Sequence, residues 1–297
     1  MKSLTGKVAV VAGATRGAGR GIACMLGEQG ATVYCTGRSV RGQLASGSNR
    51  PETIDETAEM VNGYGGVGIP VRVDHTVPGQ VAALFERVRT EQGKLDILVN
   101  DIWGGELLIE WGKPFWELSL EKGFTLLERA IHTHIVTSRY GVPLLVERGQ
   151  GVVIEITDGD TLNYRGNLFY DLVKTSVMRL AFGMAQELRQ HNVAAVAVTP
   201  GFLRSEEMLE HFGVTEANWQ DGAEKDPFFI ASETPYFVGR AVAALAADPN
   251  IMAKSGQALS SWGLSDEYHF QDIDGRQPHW GRYYAEHAHE QREPFVS

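Results

Sequence analysis

A chain of 297 residues with 43% hydrophobic content can bury one large core, and it has neither low-complexity runs nor the cysteines of a disulfide framework. A formal net charge of -10 sets up a field that repels phosphate backbones and anionic surfaces, which argues against nucleic acid and membranes as partners. The two cysteines, Cys24 and Cys35, read as core fillers in a reducing compartment. No run approaches the roughly 18 apolar residues of a membrane span, and the first one, 8–12, is too short for a signal-peptide core, so the expected location is the cytoplasm.

In chain order, short β-branched runs alternate with longer amphipathic ones. A strand is predicted over 8–12, a helix over 19–29, a strand over 32–36, a helix over 51–63 and a strand over 67–73. A helix over 78–92, a strand over 95–100, a helix over 126–148 and a strand over 152–157 continue the series. A long helix over 168–191 then leads into a strand over 193–199, and a last short strand is expected at 256–261. This βαβ rhythm predicts a doubly wound parallel sheet in one α/β domain, with ligands at the carboxyl ends of the strands. The domain is expected to span 1–265, with a charged, aromatic-rich substrate lid at 202–234 and a packed tail over 266–297. The tail histidines His269, His279, His287 and His289 lack ligand spacing, so no metal site is expected.

Directly after the first strand comes Gly13-Ala14-Thr15-Arg16-Gly17-Ala18-Gly19. Glycines between a strand and a helix let backbone N–H groups approach a pyrophosphate at the helix N-terminus. Where the second strand ends, a dinucleotide fold that takes NAD(H) carries an acidic residue for the ribose 2′-OH. Here the sequence is Gly37-Arg38-Ser39. Arg38, flanked by Arg16, suits a 2′-phosphate, which points to NADP(H). At the start of the long helix, Tyr170 and Lys174 are four apart and share one face, where an ammonium favours the phenolate of a neighbouring tyrosine.

These features together resemble the short-chain dehydrogenase/reductase family, and the resemblance covers nearly the whole chain. It rests on the glycine turn, Asp74 after the third strand, Asn100 after the fourth, Tyr170 with Lys174, and Pro200-Gly201-Phe202-Leu203-Arg204-Ser205 after the sixth. The segment 140–146 and the tail motif Asp272-Ile273-Asp274-Gly275-Arg276 resemble a branch with mammalian and bacterial members. The resemblance implies a seven-stranded Rossmann sheet and dimers or tetramers packed through the two long helices. It implies that Asp74 and His75 border the adenine, that Asn100 holds the strand end beside the cofactor, and that Lys174 also binds the nicotinamide ribose. Leu203 and Ser205 would face the carboxamide.

The chain departs from the family's pattern in three places. The usual Asn-Asn-Ala-Gly is Asn100-Asp101-Ile102-Trp103-Gly104-Gly105. The serine that orients the substrate carbonyl falls on Thr157, thirteen residues before the tyrosine; aligning on the strand instead places Asp158 there. Thr157 is the favoured occupant, because a hydroxyl donates whereas a carboxylate only accepts. The helix asparagine is not visible near 130–134, where His132 or His134 stands in or where His134 is a core histidine. Trp103, Trp111, Trp116, Phe212, Trp219, Phe228 and Phe229 either line an apolar pocket or belong to the core, and Asp101 and Asp158 suit a polar or cationic substrate group. The expected activity is NADP(H)-dependent hydride transfer to or from a small carbonyl or alcohol, with Tyr170 as proton donor and acceptor. The alternatives are a cofactor-binding protein with a degraded catalytic site and an epimerase or dehydratase of the same family.

Overall fold

The computed structural model describes residues 2–45 and 50–287. Seven strands, β1 (Val8–Ala12), β2 (Thr32–Gly37), β3 (Val67–Arg72), β4 (Ile97–Asn100), β5 (Gly151–Ile156), β6 (Val193–Thr199) and β7 (Ala258–Ser260), form one sheet in the order β3-β2-β1-β4-β5-β6-β7. Every pairing is parallel. The inner strands are continuous apolar runs because both of their faces are covered: all five residues of β1 and all seven of β6 are buried. Pro70, which cannot donate to a ladder, sits in β3, the edge strand.

Helices α1 (Gly17–Glu28), α2 (Ile54–Gly63), α3 (Pro78–Gln92), α4 (Leu120–Leu127), α5 (Thr133–Arg148), α6 (Leu168–Leu188), α7 (Glu206–Phe212), α8 (Pro235–Ala247), α9 (Ser261–Tyr268) and α10 (Trp280–His287) complete the described chain. Two apolar clusters lie on opposite faces of the sheet, one under α1, α2 and α8 and the other under α3, α5 and α6. The helix predicted from 126 begins six residues earlier, because Ser119 accepts from the Lys122 N–H and caps α4. A π-helical turn at Glu128–His132 then joins α4 to α5.

The strand order reverses between β1 and β4, which opens a crevice at their carboxyl ends. Register places Thr36, Ala12, Asn100 and Glu155 in one row across β2, β1, β4 and β5. The residues that follow each strand therefore emerge side by side: Gly13, Arg38, Asp101 and Asp158.

Candidate active site

The glycine turn is shaped by its neighbours. Gly13 has φ +92, and a Cβ there would lie 2.2 Å from the Asp101 carbonyl oxygen; a Cβ on Gly19 would lie 2.2 Å from the Gly13 carbonyl oxygen. Ala18, in the first turn of α1, is buried and apolar, and the Thr15 carbonyl oxygen accepts from Arg20 Nε at 3.1 Å. Two N–H groups at the start of α1 already donate to carboxylates, Gly17 to Glu206 Oε2 at 2.8 Å and Gly19 to Asp101. Carboxylates at a helix N-terminus show the cradle's preference for anions. A dinucleotide pyrophosphate fits it.

The residues expected around the adenosine end divide between ligand-facing and structural positions. Arg38 reaches from the end of β2 toward Gly104, its Nη2 3.4 Å from where a Cβ on that glycine would be. Arg16 pairs with Glu52 at 3.3 Å, and Glu52 also holds Arg50 at 2.9 Å. Burial would raise the Asp74 carboxyl, but hydrogen bonds from the Thr76 hydroxyl and N–H and the charge of Arg38 hold it below the usual range. Ser39 and His75 turn inward. The Ser39 hydroxyl accepts from the Ala45 N–H at 3.0 Å. His75 is buried between the hydroxyls of Thr36 and Thr137, 2.8 Å from each, and burial drives its pKa down to about 3.

Beyond β5, the structure separates the two occupants weighed for the serine position. Thr157 is buried, and its hydroxyl donates to the Lys174 carbonyl oxygen at 2.8 Å, so it ties β5 to α6 and does not reach the tyrosine. Asp158 does: its Oδ2 accepts from the Tyr170 hydroxyl at 2.7 Å. The expectation favouring Thr157 is corrected on this point, because its side chain, one residue earlier, faces the helix backbone. Arg165 fixes the loop by donating to the Asp158 carbonyl and to Asp171 Oδ1.

Burial and the negative charge of Asp158 raise Tyr170 well above 10. Burial lowers Lys174, against the pull of Asp158 and Asp101. The Lys174 ammonium lies 4.3 Å from the centre of the Trp103 ring, and Trp103 and Trp111 both meet the Tyr170 ring edge-on, at 5.6 and 5.3 Å. Burial also raises the Asp101 carboxyl, to about 7.

Beneath this edge lies a buried polar chain that the sequence reading missed. Asn100 Nδ2 donates to Glu155 Oε1 at 2.7 Å and to the Ser138 hydroxyl at 3.0 Å. The other oxygen of Glu155 meets His134 Nδ1 at 2.5 Å, and His134 Nε2 donates to the Ile102 carbonyl at 3.0 Å. His134 is thus a core histidine that holds the loop carrying Asp101 and Trp103. The available signal was Glu155 itself, one carboxylate inside the apolar run 152–156 of a central strand, where an unpaired charge is not tolerated.

After β6, Thr199 donates to the Pro200 carbonyl at 2.8 Å and Gly201 donates to Glu233 Oε2 at 2.9 Å. Leu203 bridges to Glu233, and the Ser205 hydroxyl accepts from the Met208 N–H as the cap of α7. The Ser205 hydroxyl thus serves as a cap. Phe212, Trp219 and Phe229 pack with Phe202 into a small core of their own, and Phe228 packs on Trp280 and Tyr283, so these rings do not line a shared pocket with Trp103. Arg204 and Arg276 each lie over the Trp219 ring, at 4.1 and 4.4 Å, and both bond Asp274, which ties the tail motif to the segment after β6. His279 faces Asp266, His287 stacks on Tyr283, and His269 closes α9; His289 lies outside the described residues.

Comparison with known proteins gives this geometry its family. Residues 7–213 match the family model described as short chain dehydrogenase. The chain belongs to the short-chain dehydrogenase family. It is 37% identical over 278 residues to the human protein "Dehydrogenase/reductase SDR family member 1", covering 92% of this chain and 85% of that protein. Among solved structures, a short chain dehydrogenase from Mycobacterium thermoresistibile superposes with a TM-score of 0.77 at 21% identity, over 94% of this chain and 92% of that one. A 7 alpha-hydroxysteroid dehydrogenase solved with NADH and 7-oxo glycochenodeoxycholic acid does so with a TM-score of 0.69 at 23% identity, over 92% and 96%. The short-chain dehydrogenase is accordingly an NAD(P)-dependent oxidoreductase.

Proposed function

We propose that this chain is an NADP(H)-dependent reductase of small ketones or aldehydes, with Tyr170 as the proton donor. The observation that carries the reading is the Tyr170 hydroxyl at the carboxyl edge of the sheet, held at 2.7 Å by Asp158, with Lys174 one turn further along α6. The bound nicotinamide supplies or takes the hydride. Burial and the charge of Asp158 keep the phenol protonated at neutral pH, the state from which it can pass a proton to an oxygen gaining negative charge. Lys174 binds the nicotinamide ribose and offsets charge left on Tyr170. Asp158 orients the hydroxyl and receives a polar or cationic group of the substrate, and Thr157 supports both by pinning α6.

For the cofactor, Gly13, Thr15, Gly17, Ala18 and Gly19 form the pyrophosphate seat. Arg38 and Arg16 favour a 2′-phosphate, Asp74 borders the adenine, and Ser39, His75 and Asn100 shape the strand ends beneath. Pro200, Gly201, Leu203 and Ser205 place the segment 202–234 over the nicotinamide as a lid. Exposed Ile135, Leu172 and Phe182 on α5 and α6 support a homodimer or homotetramer through those helices, and the free buried cysteines support a cytoplasmic setting.

The test is NADPH oxidation by the purified protein against ketones, aldehydes and quinones, with Tyr170→Phe as control. Turnover that Tyr170→Phe abolishes while NADPH still binds establishes the reading. Tight binding without turnover on the whole panel would make the chain a cofactor-binding protein instead.

A further inference from the structure

The first turn of α7 sits on the pyrophosphate seat. Glu206, its first residue, accepts from the Gly17 N–H at 2.8 Å, and its other oxygen lies 3.7 Å from Arg20 Nη1. One turn on, Glu210 accepts from Arg50 Nη1 at 2.7 Å. Arg50 in turn shares Glu52 with Arg16. The acidic face of α7 is therefore bound to the donors and the basic cluster that surround the start of α1.

A carboxylate and a phosphate ask the same things of such a seat: N–H groups at a helix N-terminus and nearby guanidinium charge. The Gly17 N–H cannot serve both, and two anions will not share the space beside it. Resting on the reading of this turn as the dinucleotide seat, we infer that Glu206 is a competitor built into the chain, which the cofactor's pyrophosphate displaces, so that cofactor binding and release of α7 from the cradle are one event. A competing internal contact lowers apparent affinity by the fraction of molecules in which the seat is open. Glu206 thereby tunes cofactor affinity and reports occupancy to the segment after β6. Glu210 acts in the same sense from further out, since its bond to Arg50 holds the helix down without entering the seat.

The test compares wild type, Glu206→Gln and Glu206→Ala, with Glu187→Gln as a control that removes one charge from the exposed face of α6. NADPH and NADH affinities are measured by titration, and hydrogen exchange is followed in residues 206–212 with and without dinucleotide. Both Glu206 variants are expected to bind dinucleotide roughly tenfold tighter than wild type, whereas Glu187→Gln binds as wild type does. In wild type, exchange in 206–212 rises when dinucleotide is added; in the variants it is already raised beforehand. Equal or weaker binding by both variants, with exchange in 206–212 indifferent to dinucleotide, overturns the inference and leaves the cofactor reading intact. Binding by none of the four proteins overturns both.

Discussion

Tyr170 donates to Asp158 Oδ2 at 2.7 Å, while the Lys174 ammonium lies over the Trp103 indole, 5.5 Å from the tyrosine ring centre. The charged group nearest the phenol is negative, and the phenol pKa is raised. This arrangement suits proton donation and disfavours proton removal. Reduction is therefore expected to hold its rate through neutral and mildly alkaline pH, whereas oxidation of the corresponding alcohol climbs with pH because it needs the phenolate. Asp158→Asn removes the charge and keeps a polar partner, so the oxidation limb moves to lower pH. Rate profiles of both directions check this, and an unmoved oxidation limb in Asp158→Asn would show that Asp158 does not act on Tyr170.

On the proposed reading, Arg38 is expected to govern the choice between cofactors. Its guanidinium reaches across the crevice toward Gly104 beside Asp74, where a 2′-phosphate would add a charge-assisted contact that a ribose hydroxyl cannot match. Such a contact is worth roughly tenfold or more in affinity. NADPH is expected to bind about tenfold tighter than NADH, and Arg38→Asp to narrow or reverse the difference. Equal wild-type affinities in a titration would remove Arg38 from this role.

Gly13 is where the cradle tolerates least. A Cβ would fall 2.2 Å from the Asp101 carbonyl oxygen, a backbone atom fixed by the ladder between β1 and β4, and φ +92 strains any other residue. Gly13→Ala is expected to cost about 2 to 5 kcal/mol of stability and to abolish dinucleotide binding. Denaturant unfolding alongside cofactor titration measures both, and a variant with wild-type stability and affinity would show that the turn can open at no cost.

The strands and the glycine turn were legible because each is local: β1 and β6 are apolar over their whole length, and Gly13 to Gly19 lie between a strand and a helix. That Tyr170 and Lys174 share one helix was legible for the same reason, one turn of α6; that Asp158 rather than the ammonium meets the phenol and raises its pKa was not. What escaped depends on register and on segments far apart in sequence. Whether Thr157 or Asp158 meets Tyr170 turns on a shift of one residue at the end of β5, which reverses the face of every side chain. Glu206 meets Gly17 across 189 positions, and nothing local to either residue signals the contact. By composition Trp219 reads either as pocket lining or as core; it lies in a small core with Phe212 and Phe229, covered by Arg204 and Arg276 from elements that only the fold brings together.

Glu155 and His134 allow a test in which the sign of a pH effect reverses. In the wild type, burial works against a charged His134, but the Glu155 carboxylate and the Ile102 carbonyl outweigh it, so the folded pKa lies above the unfolded value of about 6.5. A group raised on folding contributes stability that is fully present below its unfolded pKa and is lost as pH rises through its folded one. This pair is therefore expected to make the wild type lose stability as pH rises from about 6.5. Glu155→Gln keeps an acceptor for Asn100 and removes the charge. Burial is then expected to dominate over the remaining Ile102 carbonyl and Asp101, so that His134 binds its proton less well folded than unfolded. The contribution changes sign, and stability now falls as pH drops through the unfolded value. Breaking the buried pair also costs stability at neutral pH, up to about 3 to 5 kcal/mol, a cost that is reduced because His134 can give up its proton. Thermal unfolding of both proteins from about pH 5.5 to 8.5 reads the two slopes around the histidine pKa. Parallel slopes would mean that His134 stays neutral in the folded protein and that Glu155 holds it only by a hydrogen bond.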